Sequence, residues 1–375
     1  MKKILFAATV YHHLSSFHKP FMALFQEKGF EVHAIGSNSM GRKDELIELG
    51  IICHDIEFDK TPFSSKNRST IKELNWLFEN IYFDLIHVHT PIAAFITRYV
   101  ASKKKQGKIL YTAHGFHFFA GAPVKNWLFY YTAEKIAVKW TDGLVVMNKE
   151  DFQLAKKLGY QENENVFKVH GVGVDLSEFK TNAVSEEVDI RQELDLDKDT
   201  LIISCIAELS ARKNHEFLLQ NWKAIIEKYP NVHVVFAGNG KAENKINTII
   251  EQQGLKNVHV LGFRGDVPKL IASSDIVTLL SKHEGLPRCL MEAMACGKTI
   301  ITSNVRGSTD LVEHGKSGMT VELNDNENLV KSFIKLLGNE QMRIDFGKQG
   351  QRKIQDYSLK NVLHEMDTIY SRYLT

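Results

Sequence analysis

The chain has 375 residues, of which 43% are hydrophobic and 25% are charged, and its formal net charge at pH 7 is +2. This length predicts two domains, each with its own core. The charge is distributed unevenly between the two halves, but the asymmetry is mild and does not suggest a nucleic-acid partner. No apolar run in the sequence is long enough to span a membrane. The 4 cysteines show no Cys-x-x-Cys spacing, so we interpret them as reduced core thiols of a cytoplasmic protein.

Short apolar runs alternate with amphipathic stretches along the first half of the chain. The runs predict strands at residues 4–10, 30–35, 51–57, 85–89, 109–112 and 143–147. The stretches between them predict helices at residues 20–28, 44–49, 71–80, 93–103 and 124–140, with loops at 11–18, 59–69 and 113–121. The first run has some likeness to a signal peptide, but it is short and lacks a convincing cleavage site, so we interpret it as a strand.

The second half repeats this alternation after the charged segment 185–200. It predicts strands at residues 201–206, 231–238, 258–261, 276–280 and 298–302, and helices at 216–228, 243–253 and 267–272. The tail, residues 329–373, is predicted to be helical. We therefore expect an α/β fold of two Rossmann-like domains, residues 1–180 and 181–356, each built on a doubly wound parallel sheet.

The most informative stretch covers residues 281–297, which predict a loop followed by a helix that begins near Pro287. Free backbone N–H groups near Gly285 would then lie at the carboxyl end of a strand, where they can bind a phosphate. Glu292 falls inside the packed helix, and a buried, unpaired carboxylate is costly, so it needs a partner. A ribose diol and Lys298 both fit that role.

Glu284 stands in the loop, and the frame Glu-Gly-Leu-Pro…Glu-Ala-Met-Ala-Cys-Gly that runs from Glu284 to Gly297 is similar to the signature of retaining glycosyltransferases of family 4. That family has the GT-B fold, so the resemblance implies two domains facing a cleft, with a last helix, about residues 357–375, packing back on the first. It implies that the first domain binds the acceptor and the second the nucleotide sugar. It also implies that Glu292 holds the nucleotide ribose and that Glu284, a catalytic residue, lies near the donor sugar and diphosphate.

Arg212 and Lys213 follow a predicted strand, where a diphosphate would need cations, although exposed charges at a helix start are the alternative. The family places a lysine here, so the resemblance makes Lys213 a catalytic residue. Many members carry Gly-Arg-Leu where this chain has Ala-Glu-Leu at 207–209, so we expect Arg212 to supply the second cation. Residues 237–240 resemble a family loop that lies close to the bound donor. Residues 261–267 resemble the family loop that receives the nucleobase. The predicted donor-binding residues are Arg212, Lys213, Gly238, Gly240, Phe263, Arg264, Glu284, Gly285, Leu286 and Glu292.

His114 follows a strand and precedes a glycine. A lone histidine is more often structural, but the resemblance makes it a catalytic residue that contacts the donor sugar. Residues 10–18 lack the glycine-rich loop of many members; the Phe-His-x-Pro run at 17–20 resembles members that act on cell-envelope polysaccharide. We interpret His87 as structural and His89 as lying at the rim of the cleft, and two histidines alone do not predict a metal site. The predicted acceptor-binding residues are His13, Ser16, His18, His89 and His117.

Aromatic and basic residues are interleaved in the segment 116–140. A packed domain core would explain many of these rings, but the pattern also suits an interfacial helix, and the lysines at 103–105 add positive charge. We therefore predict contact with the inner membrane surface, which would place the protein on the cytoplasmic face of the plasma membrane.

These features predict a retaining glycosyltransferase that requires no cofactor and no divalent metal. Its expected reaction moves a sugar, of the N-acetylhexosamine type, from a UDP-sugar to an undecaprenyl-diphosphate-linked or oligosaccharide acceptor in cell-envelope polysaccharide synthesis. Two alternatives remain: a UDP-sugar epimerase of the same fold, which would need its own acid and base set, and a non-catalytic nucleotide-sugar-binding module.

Overall fold

The computed structural model describes residues 1–59, 64–65, 67–179 and 190–374, which form two compact α/β units. The first unit comprises Met1–Gly173 and Lys360–Thr375, and the second comprises Val174–Leu359. The predicted boundary between residues 180 and 181 lies outside the described residues. No helix in the described part of the chain is long and apolar enough to cross a membrane.

Val174 shows why the second unit begins where it does. Its side chain is fully buried in a cluster with Val277, Leu290 and Tyr357. Its N–H donates to the carbonyl oxygen of Tyr357 (3.0 Å), and its own carbonyl oxygen accepts from the N–H of Leu359 (2.8 Å). This short parallel pairing joins the start of the second unit to its end.

The first unit is built on seven parallel strands in the order β3-β2-β1-β4-β5-β6-β7. The strands are β1 (Lys3–Val10), β2 (Glu31–Ser37), β3 (Ile52–Asp55), β4 (Leu85–Val88), β5 (Lys108–Ala113), β6 (Gly143–Val146) and β7 (Val166–Lys168). Its helices are α1 (Tyr11–Phe17), α2 (Lys19–Glu27), α3 (Asp44–Glu48), α4 (Asn67–Asn80), α5 (Pro91–Lys103), α6 (Val124–Asn126), α7 (Thr132–Ala137), α8 (Lys149–Leu158) and, at the other end of the chain, α17 (Leu359–Tyr373). The inner strands are buried on both faces, which explains why they read as continuous apolar runs, whereas the edge strands β3 and β7 are partly exposed.

Two segments for which the sequence predicts a specific structure in the first unit differ from that prediction, and α8 and β7 were not predicted. The predicted loop at residues 11–18 is the helix α1, because Tyr11 and Leu14 lie three residues apart and both pack into the core. The predicted single helix at 124–140 is interrupted by a π-helical turn at Trp127–Tyr131 and a 3₁₀ turn at Val138–Trp140. The rings at both ends of the π turn pack against Phe118, so the wider turn fits bulky side chains onto one buried ring.

The second unit is built on six parallel strands in the order β10-β9-β8-β11-β12-β13. The strands are β8 (Leu201–Ile206), β9 (Val232–Ala237), β10 (Val258–Gly262), β11 (Ile276–Leu279), β12 (Thr299–Ser303) and β13 (Gly318–Val321). Its helices are α9 (Ile190–Glu193), α10 (His215–Lys228), α11 (Glu243–Gln253), α12 (Val267–Ala272), α13 (Arg288–Ala295), α14 (Ser308–Leu311), α15 (Asn326–Leu337) and α16 (Glu340–Lys353), followed by a 3₁₀ turn at Ile354–Tyr357. The short edge strand β13 was not predicted, since four residues that begin with glycine give too little apolar signal.

In each sheet, the second and third strands in chain order lie on one side of the first strand, and all later strands lie on its other side, which creates a switch point in the strand order. In the first unit this switch point lies between β1 and β4, and in the second it lies between β8 and β11. In open parallel sheets the loops at the carboxyl ends of such neighbouring strands diverge and leave a crevice in which ligands bind. The strand order of each unit therefore marks one place to look for a site.

The last helix, α17, is fastened to the first unit by polar contacts. The hydroxyl of Tyr370 lies 3.0 Å from Nδ1 of His87, deep in the unit. The carboxylate of Glu365 lies 2.5 Å from Nδ1 of His170, and Lys28 forms an ion pair with Asp367. His87 also bonds Thr112, so it has the structural role expected of it.

Candidate active site

The switch point of the second unit holds a cluster of two cations and one buried carboxylate. Arg212 and Lys213 follow β8, and Glu284 follows β11, the neighbouring strand. Oε1 of Glu284 accepts from Nζ of Lys213 (2.7 Å) and from Nη1 of Arg212 (3.1 Å). Burial raises the pKa of Glu284, but the two cations outweigh burial and hold that pKa below its usual value. The carboxylate is therefore ionised at neutral pH and fixes both cations in place.

The loop after Glu284 leads directly into α13. This helix begins at Arg288, one residue after Pro287, so its first N–H groups have no partner within the helix. The carbonyl oxygen of Gly285 comes so close to Gly307 that a Cβ on Gly307 would lie 2.3 Å from it, and Gly307 has a φ of +75°. Only glycine fits both conditions, which makes Gly307 a support of the loop that the sequence analysis missed.

Glu292 lies on α13, two turns after its start, and is buried. Its Oε1 accepts from Nε of Arg288 at 2.8 Å. The alternative prediction, that Glu292 pairs with Lys298, was wrong. The ammonium group of Lys298 donates to the carbonyl oxygen of Ala272 (2.6 Å). Burial raises the pKa of Glu292, and Arg288 only partly offsets this effect.

The predicted glycine loop packs tightly against the backbone that follows β8. A Cβ on Gly238 would lie 2.1 Å from the carbonyl oxygen of Ala207, and one on Gly240 would lie 2.2 Å from that of Leu209. These glycines are therefore required for the close approach of two loops at the switch point. They bring the loop after β9 beside the chain that leads to Lys213.

The predicted nucleobase loop follows β10, on the other side of β9. Phe263 is exposed, so its ring is free to receive a planar ligand. Arg264 instead forms ion pairs with Glu193 and Asp266, and these bonds raise its pKa. The charge of Arg264 is thus balanced by carboxylates of the protein, and the guanidinium group holds the loop in place.

Four histidines of the first unit converge at its own switch point. His13 and His18 lie in and just after α1, His89 follows β4, and His114 follows β5. Nε2 of His114 lies 3.3 Å from Nε2 of His13, 3.2 Å from Nε2 of His18 and 3.4 Å from Nδ1 of His89. His89 was expected at a cleft rim, but its exposed fraction is 0%, because its ring stacks on His18 and on Phe6.

The other two predicted acceptor residues lie outside this cluster. The hydroxyl of Ser16 accepts from Nη1 of Arg42 (2.5 Å), which also pairs with Glu45. His117 is exposed, and its ring packs on Tyr130 at 4.6 Å between centroids. The structure thus groups His13, His18, His89 and His114, while Ser16 and His117 take separate positions in the same unit.

Comparisons with known proteins agree with this architecture. A family described as "Glycosyl transferases group 1" matches residues 186–353, and one described as "Glycosyl transferase 4-like" matches residues 3–148. EpsD of Bacillus subtilis, which carries the name of a glycosyltransferase, is 32% identical over 100% of this chain and 97% of its own length. The UDP-Gal:alpha-D-GlcNAc-diphosphoundecaprenol alpha-1,3-galactosyltransferase of Escherichia coli is 26% identical over 84% of this chain and 82% of its own.

A solved structure shows the same fold. The crystal structure of HepE from Anabaena in complex with UDP matches with a TM-score of 0.79 at 17% sequence identity, covering 99% of this chain and 100% of that one. At this level of identity the likeness establishes the fold, two parallel-sheet Rossmann-like domains of the GT-B type.

Proposed function

The chain is a glycosyltransferase that belongs to the family 4 type with the GT-B fold, and we propose that it transfers a sugar from a UDP-sugar to a lipid-linked acceptor with retention of configuration. The observation that carries this proposal is the contact of Lys213 and Arg212 with buried Glu284 in the loop that leads into α13. Cations held at the carboxyl ends of neighbouring strands, beside a helix N-terminus, suit a nucleoside diphosphate.

The second unit supplies the proposed donor site. Glu292 would accept hydrogen bonds from the ribose hydroxyls, and the exposed ring of Phe263 would lie against the base. The tight glycine loop at Gly238 and Gly240 would let the backbone approach the donor. Support for uracil as the base comes from the E. coli relative, whose name gives a UDP-sugar as its donor.

Charge on the leaving diphosphate is the main barrier that the site has to lower. As the bond to the sugar breaks, negative charge develops on the diphosphate, and preorganised donors aimed at that charge stabilise the transition state. The ammonium group of Lys213 has three N–H donors, and one of them donates to Glu284. The other two can donate to phosphate oxygens. Together with Arg212 and the positive end of the α13 dipole, Lys213 provides this stabilisation without a divalent metal on the diphosphate.

Retention is proposed to follow from attack on the same face that the diphosphate leaves. A diphosphate oxygen would take the proton from the acceptor hydroxyl as the new glycosidic bond forms, so no side-chain nucleophile is needed. For His114 we propose a contact with the transferred sugar. The donor class proposed is the UDP-N-acetylhexosamines.

The first unit supplies the proposed acceptor site, with His13, Ser16 and His117 as candidate contacts. The rings of His18 and His89 are buried, so they would support the ring of His13 instead of touching the acceptor. An acceptor linked to undecaprenyl diphosphate is supported by the name of the E. coli relative. It would place the chain on the inner face of the plasma membrane, in the synthesis of a cell-envelope polysaccharide.

An exposed apolar face suits such a membrane contact. The side chains of Val124 and Leu128 are 82% and 75% exposed, with Lys125 between them. Phe116 and Phe118 from the same aromatic segment are buried in the core, so Val124 and Leu128, in and just after α6, are its most exposed large apolar side chains. Apolar side chains flanked by a lysine favour the surface of an anionic bilayer.

The donor site is tested by thermal unfolding with a panel of nucleotides, with Mg²⁺ omitted or added. A ligand at 100 times its Kd stabilises the folded state by about 2.7 kcal/mol. We expect a shift with UDP and with UDP-N-acetylhexosamines, equal in both buffers. A shift with GDP alone would move the donor to another nucleotide class, and no shift with any nucleotide would contradict the donor site.

A further inference from the structure

The four histidines at the switch point of the first unit share one small space. Each residue contributes one ring nitrogen, and these four nitrogens, from His13, His18, His89 and His114, all lie within 4.8 Å of one another. They come from three neighbouring strand ends, β1, β4 and β5, so the sheet itself holds the cluster together. None of these residues belongs to the donor site of the second unit.

The distances match those between the ligands of a tetrahedral metal ion. With metal–nitrogen bonds of about 2.05 Å, the edge of such a tetrahedron is about 3.3 Å. The three separations from Nε2 of His114 are 3.2, 3.3 and 3.4 Å. Three of the six edges are therefore already at tetrahedral length, and the other three separations do not exceed 4.8 Å.

Hydrogen bonds among the four rings cannot satisfy all four of the nitrogens that face one another. A neutral imidazole has one N–H and one lone pair, and the lone pair of Nε2 on His114 accepts one good hydrogen bond. Three other ring nitrogens point at that single atom. Imidazole binds metals through the ring nitrogen that carries the lone pair, so each of the four rings can offer one ligand atom to the same ion.

The two innermost rings add a second, independent observation. His18 and His89 are 2% and 0% exposed, and the other nitrogen of each, Nδ1 of His18 and Nε2 of His89, has no hydrogen-bond partner among the described residues. The nitrogen that faces the cluster is thus the only one through which either ring meets a polar group. A ligand that binds either of these buried rings among the described residues must therefore do so through the nitrogen that faces the cluster.

We propose that His13, His18, His89 and His114 bind one divalent transition-metal ion of the zinc class. Imidazole ligands suit Zn²⁺, Co²⁺, Ni²⁺ and Cu²⁺ rather than Mg²⁺ or Ca²⁺. Four protein ligands close the coordination sphere, which is typical of a structural site. The ion would lock α1 onto the ends of β4 and β5 and so fix the shape of the proposed acceptor site.

This role differs from that of a metal on the donor diphosphate. A metal ion in the cluster would use the Nε2 lone pair of His114, so any contact of His114 with the sugar would be made by another atom of that residue. Metal-bound histidines usually donate their second N–H to an acceptor, and losing such a partner weakens binding by roughly 10–100-fold. Because His18 and His89 lack one, we expect an affinity below that of fully supported zinc sites.

The proposal is tested by titrating Co²⁺ into the full chain, purified without a histidine tag and stripped of metal. We expect the visible absorption of tetrahedral Co²⁺, saturating at one ion per chain and displaced by Zn²⁺. The half-buried His13 is the position that best tolerates change, so His13→Gln should keep its circular dichroism spectrum and bind Co²⁺ more than about tenfold more weakly. Zinc should raise the Tm of the wild type and not of the variant.

A second histidine pair of the same sheet provides the matched control. Nδ1 of His33 lies 2.9 Å from Nε2 of His54, and within the described part of the chain neither residue belongs to a group of three or more potential metal ligands. His54→Gln should bind Co²⁺ as the wild type does. Wild-type protein without tetrahedral Co²⁺ absorption, or equal binding by His13→Gln, would overturn the proposal. Neither result would affect nucleotide binding by the second unit.

Discussion

Replacing Glu292 by glutamine separates its proposed role in binding from any role in folding. The side chain is buried on α13 and accepts one hydrogen bond from Arg288. Glutamine keeps the shape of the side chain but removes its charge. A hydrogen bond to a charged group contributes about 1.5–3 kcal/mol, and 1.4 kcal/mol is about tenfold in Kd. We therefore expect Glu292→Gln to weaken UDP binding by about 10–100-fold.

Stability should change little in the same variant. Burial raises the pKa of Glu292, which means that the fold disfavours its charged form. The Arg288 side chain is 39% exposed, so its ion pair with Glu292 contributes little to the free energy of unfolding. Losing the pair and relieving the buried charge act in opposite directions, and we expect the Tm without ligand to stay near that of the wild type.

The assay is calorimetric titration of UDP into wild type and variant, together with thermal unfolding of each without ligand. Glu327 offers a matched control, because it pairs with Lys331 across the same spacing on α15 of the same unit. Glu327→Gln should bind UDP normally. An unchanged Kd in folded Glu292→Gln would refute the ribose contact, and a large loss of Tm would show that Glu292 serves the fold instead.

Four further changes test other parts of the account. Lys213→Met should lower kcat by about 10²–10³-fold, measured as UDP release, because a donor to the leaving diphosphate is lost. Burial, reinforced by Lys213, lowers the pKa of His215 from 6.5 to about 4. Its contribution to the free energy of unfolding is therefore complete above pH 6.5 and falls by about 1.4 kcal/mol per pH unit toward pH 4. In urea unfolding, His215→Leu should lose this dependence of stability on pH. Gly307→Ala should lower the Tm and the affinity for UDP, whereas Gly315→Ala, with a similar φ of +74° but nothing within 4 Å, should show only the smaller cost of backbone strain. Leu128→Ser should reduce sedimentation with anionic vesicles and leave UDP binding intact.

The sheets could be predicted because both are parallel and their inner strands are buried on both faces. A strand such as β11 then appears as a continuous apolar run, and the helices between strands follow from their spacing. The sequence predicts a loop at residues 11–18, where the structure has the helix α1, although the spacing of Tyr11 and Leu14 already indicates a helix. The partner of Glu292 was also present in the sequence, since Arg288 precedes it by four residues, the spacing of neighbours on a helix face.

The histidine cluster could not be predicted without the strand order. His18 and His114 lie 96 residues apart in sequence, and nothing local links them. Their proximity depends on β1, β4 and β5 being neighbours, with their carboxyl ends at one edge of the sheet. Likewise, the support that Gly307 gives to the loop at Gly285 depends on a close approach of two backbones that only the folded chain reveals.

The most direct test of the proposed reaction is transfer itself. The purified chain would be incubated with a UDP-N-acetylhexosamine and a synthetic polyprenyl-diphosphate-linked sugar, in buffer without added divalent metal, and the product examined by NMR. The account predicts UDP release that depends on the acceptor and a new α-linkage from the α-linked donor. A β-linkage would contradict retention, a strict requirement for Mg²⁺ would contradict the role given to Lys213 and Arg212, and turnover of the UDP-sugar without acceptor would indicate an epimerase.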